Sequence, residues 1–178
     1  MTLPDNRSYP VPSQYTVRRE PAADDDKRCE PTLYRSICGA LQFASHCCRP
    51  DVSQSVRELC KHLVDPAVQH YKAARQCLQY LLFTKEMGLT YTKHTVRGIH
   101  GNLVAPRVTE SFSDASFAEC LATRRSTSGY VLTRCGAAIT WGSRGQGKVA
   151  HSSSDSELRA LSECAREVLW IRKLETAF

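Results

Sequence analysis

The sequence predicts an α+β fold in which three helices precede three antiparallel strands and a fourth helix. In the first half of the chain, apolar residues recur at the three- and four-residue spacing of a helix. In the second half, residues 108–143 contain short runs of alternating β-branched and aromatic side chains separated by turn residues. A chain of 178 residues is long enough to bury a sizeable core around these elements.

The chain is expected to begin with a flexible arm at residues 1–31. This stretch holds five of the eight prolines, an acidic run at 24–26 and little apolar periodicity. The first helix is predicted to follow from Leu33, and Pro50 is expected to end it.

Two further helices are predicted before the strands begin. Asp51 is expected to cap the first of them. The pair Asp65 and Pro66 predicts the start of the next, because proline at the first helical position loses no hydrogen bond. Gly88 is expected to end that helix.

The second half is predicted to contain three short strands, at residues 108–114, 129–134 and 137–143. Ser154 and Glu157 have the spacing of a capping box, which predicts the start of the fourth helix. The expected buried face of this helix consists of Leu158, Leu161, Ala165, Val168 and Leu169.

Several linked motifs give the chain a family resemblance. In the second half they are residues 113–119 (SDASFAE), 125–131 (RSTSGYV), 138–141 (AITW), 149–157 (VAHSSSDSE) and 167–172 (EVLWIR). In this order they resemble the beginning of the ribonuclease H domain in the Pol polyproteins of copia-type LTR retrotransposons. The segments that resemble the region after the polymerase palm are residues 34–41 (YRSICGAL), 49–51 (RPD) and 70–82 (HYKAARQCLQYLL).

The resemblance implies a division of the chain and a role for it. Residues 32–105 are expected to be a helical connection or thumb-like region of reverse transcriptase, and residues 106–178 a truncated ribonuclease H-like domain. The family acts in reverse transcription and cleaves the RNA of RNA/DNA hybrids. Hybrid nucleic acid and the rest of a Pol polyprotein are therefore the expected partners, and no small-molecule substrate is expected. The tyrosine-x-Asp-Asp pattern of the polymerase palm does not occur in the sequence, so polymerase chemistry is not expected.

Two carboxylates are the candidate catalytic and metal-binding residues. By resemblance, Asp114 matches the family's first catalytic aspartate and Glu157 its catalytic glutamate, both ligands of Mg²⁺. Hydrolysis of a phosphodiester by such a site needs paired divalent ions held by hard oxygen ligands. The residues also allow another interpretation, in which Asp114 only ends an exposed strand and Glu157 only completes the capping box of Ser154.

The same resemblance predicts that the 178 residues alone are inactive. In the family, a third and a fourth carboxylate follow the fourth helix, and the sequence stops before either position. Two carboxylates are expected to bind Mg²⁺ weakly, because the hydrated ion gains little by shedding water there.

Basic residues provide candidate contacts to nucleic acid. The formal net charge of +6 suits a polyanionic partner. Arg57, Lys61, Lys72 and Arg75 lie off the apolar faces of the predicted helices and could line a duplex, or could equally form an ordinary solvated face. The further candidates, at the start of a motif in the second half, are Arg125 and Ser126.

The nine cysteines lack the short spacing of zinc sites and are expected to be mostly small buried residues. The polar beginning of the sequence does not resemble a signal peptide, which predicts a reducing compartment, cytoplasmic or nuclear and not secreted. No apolar run is long enough to span a bilayer. Two alternatives to a nuclease fragment remain open: a non-catalytic module that binds RNA/DNA hybrids, and a transposon remnant without function.

Overall fold

The computed structural model describes residues 20–97, 101, 103–105 and 108–177. The chain divides into two compact units, the first ending at Gly88 and the second beginning at Leu89. Most of the predicted arm, residues 1–19, lies outside the described residues. The segment after Gly88, which the sequence assigned to the helical region, bonds instead to the second unit, because Tyr91 Oη donates to the Ala138 carbonyl at 2.7 Å.

The first unit contains the three predicted helices. They are α1 (Pro31–Cys47), α2 (Ser53–Cys60) and α3 (Val68–Phe83), with a short 3-10 turn at Pro50–Val52 ahead of α2. The predicted capping role of Asp51 is wrong, because Asp51 lies inside the 3-10 turn and its carboxylate bonds to Arg49. A cap that the sequence analysis missed is Glu30, whose carboxylate accepts hydrogen bonds from the amides of Thr32 and Leu33 at the start of α1.

The core of the helical unit joins all three helices. Tyr34 is fully buried, and its hydroxyl donates to the Leu59 carbonyl at 2.8 Å, which ties α1 to the end of α2. This hydrogen bond satisfies a polar group that would otherwise be costly to bury. The remaining buried residues of this core are Cys38, Leu41, Val52, Val56, Leu59, Ala74 and Cys77.

Two histidines stack against each other beside this core. The rings of His62 and His70 lie 3.8 Å apart and are nearly parallel, and the residues are 8% and 1% exposed. His70 Nδ1 accepts the Ala67 amide at 3.0 Å, so this nitrogen is unprotonated at the start of α3. Burial, together with the neighbouring His70 and Lys61, lowers the pKa of His62 to about 4.

Acid is therefore expected to destabilise the helical unit through His62. A histidine whose pKa is lower in the folded state than in the unfolded chain resists protonation when folded. Stability is then complete above the unfolded pKa of about 6.5 and falls with pH toward the folded value, by at most about 1.4 kcal/mol per pH unit. The measurement is the midpoint of thermal unfolding, followed by circular dichroism between pH 7 and pH 4. His62→Phe keeps a stacking ring and removes the titration, so an unchanged pH profile in that variant would contradict this assignment.

The second unit is built on a three-stranded antiparallel sheet. A small ribbon of β1 (Val96–Arg97) and β2 (Leu103–Val104), which the sequence analysis missed, precedes it. The sheet has the order β3 (Glu110–Ser116), β4 (Thr127–Arg134), β5 (Ala137–Gly145), and α4 (Ser153–Ala177) follows. The predicted α+β class is confirmed, with three strands followed by a helix as expected for an incomplete ribonuclease H-like unit.

Helix α4 packs on the sheet through a different face from the one predicted. The residues buried along it are Ser156, Ala160 and Cys164, which recur every four residues. Leu158, Leu161 and Leu169 are 66%, 56% and 56% exposed, and Ala165 is also exposed, so the predicted face is wrong apart from the half-buried Val168. Small side chains on the buried face allow the helix to lie close to the sheet, where Cys164 packs with Tyr130 and Leu132.

Gly142 is part of the same close packing on β5. A β-carbon at this position would lie 2.7 Å from the ring of Tyr130, closer than real contacts allow. Tyr130 and Gly142 are cross-strand partners, so the aromatic ring lies over the glycine. The absence of a side chain at Gly142 thus makes room for a core residue of the second unit.

Candidate carboxylate site and nucleic-acid interface

The start of α4 shows whether Glu157 caps the helix. The cap is formed by Ser152, whose hydroxyl accepts the Asp155 amide at 3.1 Å, while the Asp155 carboxylate accepts the His151 amide at 2.9 Å. The predicted capping box of Ser154 and Glu157 is therefore wrong by two residues. Glu157 is exposed in the first turn of α4 and is not needed to cap it.

Asp155 is a further acidic residue in the first turn of α4, and its carboxylate is bonded to Arg159. Its two carboxylate oxygens each accept a hydrogen bond of 2.9 Å from the guanidinium of Arg159. These bonds, together with the bond from the His151 amide, hold the pKa of Asp155 below its usual value. Asp155 thus stabilises the helix start.

Asp114 lies on β3 with an exposed side chain, opposite Gly129 on β4. Because side chains alternate along a strand, Asp114 faces away from the side that carries Ser113 and its partner Tyr130, the side on which α4 packs. The glycine opposite leaves the carboxylate without a bulky neighbour on the next strand. Asp114 is thus accessible and has no role in the core.

These carboxylates do not make a complete metal centre by themselves. In the described part of the chain, no group of three or more His, Cys, Asp and Glu side chains is placed to hold a metal ion. Magnesium takes hard oxygen ligands in near-octahedral geometry, and the two-ion mechanism needs several carboxylates. Asp114 and Glu157 alone do not meet that requirement.

The four basic candidates of the helical unit separate into two pairs. Arg57 and Lys61 both contact the carboxylate of Glu58, at 2.5 and 2.8 Å, and Glu58 is 7% exposed. Both cations are engaged in a local ion cluster with Glu58, so the prediction that they contact nucleic acid is not supported. Lys72 and Arg75 are exposed, and in the part of the chain that the structure describes no ion pair involves them. Their spacing of three residues places them on one side of α3.

The two candidates of the second unit also differ from each other. Ser126 is 1% exposed, and its hydroxyl accepts the Ala118 amide at 3.0 Å. Its prediction as a nucleic-acid contact is wrong, because the side chain is buried and holds the preceding loop. Arg125 has an exposed side chain, while its carbonyl accepts the Cys120 amide at 3.1 Å.

A cleft of about 400 Å³ lies between the sheet and α4. Its lining residues are Tyr130, Arg144, Glu163, Arg166, Glu167 and Trp170. Two arginines and two glutamates give the cleft no net charge, so it does not favour a polyanion over other partners.

All nine cysteines are free thiols. The expectation of buried residues is confirmed for Cys38, Cys77 and Cys164, whereas Cys47 and Cys48 at the end of α1 are exposed. Burial raises the pKa of Cys38 to about 11 and that of Cys77 to about 12, which makes these two thiols unreactive near neutral pH. Among the described residues, none of the helices combines the length and apolar character that crossing a membrane requires.

Comparisons with known proteins find several relatives. The chain is 34% identical over 138 residues to the secreted RxLR effector protein 161 of Plasmopara viticola, a match that covers 78% of this chain and 90% of that protein. It is 31% identical over 147 residues to the retrovirus-related Pol polyprotein from transposon RE2 of Arabidopsis thaliana, which covers 83% of this chain and 9% of the polyprotein.

A similar polyprotein occurs in another plant. The chain is 29% identical over 144 residues to the retrovirus-related Pol polyprotein from transposon TNT 1-94 of Nicotiana tabacum, covering 79% of this chain and 10% of the polyprotein. The chain thus spans about a tenth of the length of these polyproteins. No family model and no solved structure matches the chain.

Proposed function

Because this chain belongs to the retrovirus-related Pol polyproteins of copia-type retrotransposons, we propose that it contributes to reverse transcription by holding an RNA/DNA hybrid. The observation that carries the proposal is the exposed pair Lys72 and Arg75 on α3, which no ion pair in the described residues involves. Asp114 and Glu157 are exposed, and neither of them serves the core or caps a helix. Acidic side chains that the fold does not use are available for chemistry on a bound nucleic acid.

The proposed contribution to cleavage is partial. Asp114 supplies one ligand of a ribonuclease H site, and the rest of a Pol polyprotein supplies most of the others. Glu157 lies at the beginning of the helix that packs on the opposite face of the sheet, so it can join Asp114 only at the edge of the sheet. The chain alone is then a binding unit for hybrids that does not cleave them. We further propose that it works in the cytoplasm or nucleus, where its nine free thiols stay reduced.

We expect that the 178-residue chain does not hydrolyse the RNA strand of a hybrid. Two carboxylates hold divalent ions too weakly for the two-ion mechanism. The measurement is an assay with a labelled RNA strand paired to DNA, in Mg²⁺ and separately in Mn²⁺. Product formed by the unsubstituted chain and abolished in Asp114→Asn would contradict the claim, whereas equal background in both proteins is the expected result.

The binding claim rests on Lys72 and Arg75, the exposed pair on α3. Each phosphate contact made by a cation releases counterions, so losing both contacts should lower the salt dependence of log K by roughly two units. The double variant Lys72→Gln/Arg75→Gln is therefore expected to bind a hybrid about tenfold more weakly near physiological salt. Fluorescence anisotropy with a labelled hybrid measures both the affinity and its salt dependence.

A matched control removes the same charge from another surface. Arg172 and Lys173 are exposed near the end of α4, and in the described part of the chain no ion pair involves them. Arg172→Gln/Lys173→Gln changes the net charge equally and should bind nearly as the unsubstituted chain does. Equal weakening in both double variants would show a general effect of charge and would contradict a contact at α3.

A further inference from the structure

The connection between β3 and β4, residues 117–126, is an ordered loop. The Ala118 amide donates to the Ser126 hydroxyl at 3.0 Å, the Cys120 amide to the Arg125 carbonyl at 3.1 Å and the Arg124 amide to the Cys120 carbonyl at 2.7 Å. The buried Ser126 also accepts, through its carbonyl, the Gln146 amide at 2.8 Å, which fixes the loop base to the end of β5. The loop is therefore held in one shape before any partner arrives.

Two residues of the loop have backbone conformations that side chains rarely adopt. Ala118 and Arg124 have φ angles of 49° and 54°, in the left-handed region. Such a conformation costs of order 1 kcal/mol or more for a residue with a β-carbon, and the hydrogen bonds within the loop offset that cost. At Arg124 this backbone turn precedes a second arginine, and both side chains are exposed.

The surface of the loop combines positive charge with apolar side chains. Phe117 and Leu121 are 46% and 53% exposed. Arg124 and Arg125 are exposed, and in the described residues neither guanidinium has an ion-pair or hydrogen-bond partner. Arginine binds phosphate through a planar set of donors, and an exposed aromatic ring packs against sugars and bases. A nucleic-acid strand presents phosphates next to sugars and bases, so it can occupy both kinds of contact.

The position of the loop relates it to Asp114. Phe117 follows Asp114 by three residues along the direction of β3, which corresponds to about 10 Å in an extended strand. Residues Asp114 and Ser116 pair with Gly129 and Thr127, so the loop closes directly beyond the candidate carboxylate. A nucleic-acid strand that passes Asp114 therefore reaches the loop within one or two nucleotides.

The geometry points to this loop as a contact for the sugar-phosphate backbone of an RNA/DNA hybrid. Arg124 and Arg125 bind phosphates, and Phe117 packs against the adjoining sugar or base. This inference rests on the proposed function, because it names how the hybrid is held beside Asp114. It assigns to the loop the positioning role that the buried Ser126 cannot perform.

The test uses the full chain and a fluorescently labelled RNA/DNA hybrid in anisotropy titrations at several salt concentrations. Arg124→Gln/Arg125→Gln is expected to weaken binding about tenfold and to lower the salt dependence by roughly two units. Phe117→Ala should weaken binding without changing the salt dependence, since it removes packing and no charge. The control is Arg172→Gln/Lys173→Gln, which removes the same charge from α4.

The outcomes separate this inference from the proposed function. If the unsubstituted chain binds the hybrid and the loop variants bind it equally well, the loop is not a contact while the proposed function stands. If the unsubstituted chain binds no hybrid at any salt concentration, both are overturned. Thermal unfolding of each variant, followed by circular dichroism, shows whether a loss of binding reflects a loss of folding. If a double variant does not fold, Arg125→Gln alone is compared with the unsubstituted chain, because the backbone of Arg125 is not in the left-handed region.

Discussion

Replacing Arg49 by alanine is expected to destabilise the helical unit by about 1–3 kcal/mol, the cost of leaving buried acceptors without their donor. Arg49 is 7% exposed, and its guanidinium donates to both carboxylate oxygens of Asp51, at 2.9 and 2.7 Å. It also donates to the carbonyl and hydroxyl oxygens of Thr84, at 3.0 and 2.6 Å. Alanine would leave the oxygens of Thr84, which is 4% exposed, buried without their donor, whereas the exposed Asp51 would be solvated by water.

The cost is large because Arg49 joins parts of the unit that are distant in sequence. Asp51 lies in the turn before α2, whereas Thr84 follows α3. Tyr80 completes the network, since its hydroxyl donates to Asp51 at 2.7 Å and its ring lies 5.3 Å from the Arg49 guanidinium. Burial opposes ionisation of Asp51, but the bonds from Arg49 and Tyr80 hold its pKa below the usual value.

The measurement is urea unfolding followed by two signals. Both tryptophans, Trp141 and Trp170, lie in the second unit, so their fluorescence reports that unit, while circular dichroism reports the helices of both. Arg49→Ala should shift the circular dichroism transition and leave the tryptophan transition in place. The control is Lys85→Ala, because the pair of Lys85 and Glu86 is long and exposed and contributes about 0–1 kcal/mol. A shift no larger than that of the control would contradict the assignment.

Replacing Leu132 by alanine is expected to destabilise the second unit by about 2–5 kcal/mol. Leu132 is fully buried on β4, where it packs with Tyr130 and Cys164. Truncation removes apolar contacts and leaves a cavity that a sheet packed closely against α4 cannot easily fill. Tryptophan fluorescence during urea unfolding should show the loss directly.

Leu161→Ala is the matched control for that experiment. It makes the same chemical change on α4 at a position that is 56% exposed, so the expected effect is within about 0.5 kcal/mol. A loss at Leu161 as large as that at Leu132 would mean that the predicted face of α4 is the packed one after all. The comparison therefore tests which side of the helix covers the sheet.

The errors at α4 show what periodicity can and cannot predict. Apolar residues at a spacing of three and four predict a helix after Ser154, and the structure confirms a helix there, at Ser153–Ala177. The helix has two candidate faces, one of leucines and one of small residues, and hydrophobicity alone favours the leucines. Ala160 and Cys164 pack against the sheet instead, because the helix can lie close to the sheet only where its side chains are small. The predicted start of α4 was wrong because two serines fit a capping box. Ser152 and Ser154 both precede an acidic residue by three positions.

The candidate site was predictable in part. Resemblance identified Asp114 and Glu157, while only the structure could show that Ser152 and Asp155 form the cap and leave Glu157 free. The pairing of Lys61 with Glu58 follows from their spacing of three residues on a helix, so the sequence alone could have predicted it. The loop at 117–126 could not be predicted, because its shape depends on the burial of Ser126 against the end of β5.

The most direct test of the account is a titration of an RNA/DNA hybrid with the full 178-residue chain at low and at physiological salt, followed by anisotropy. We expect binding that weakens steeply as salt rises, because phosphates are contacted by the cations of α3 and of the loop after β3. Absence of binding at low salt, or binding that does not change with salt, would contradict the claim that this chain holds a nucleic-acid hybrid.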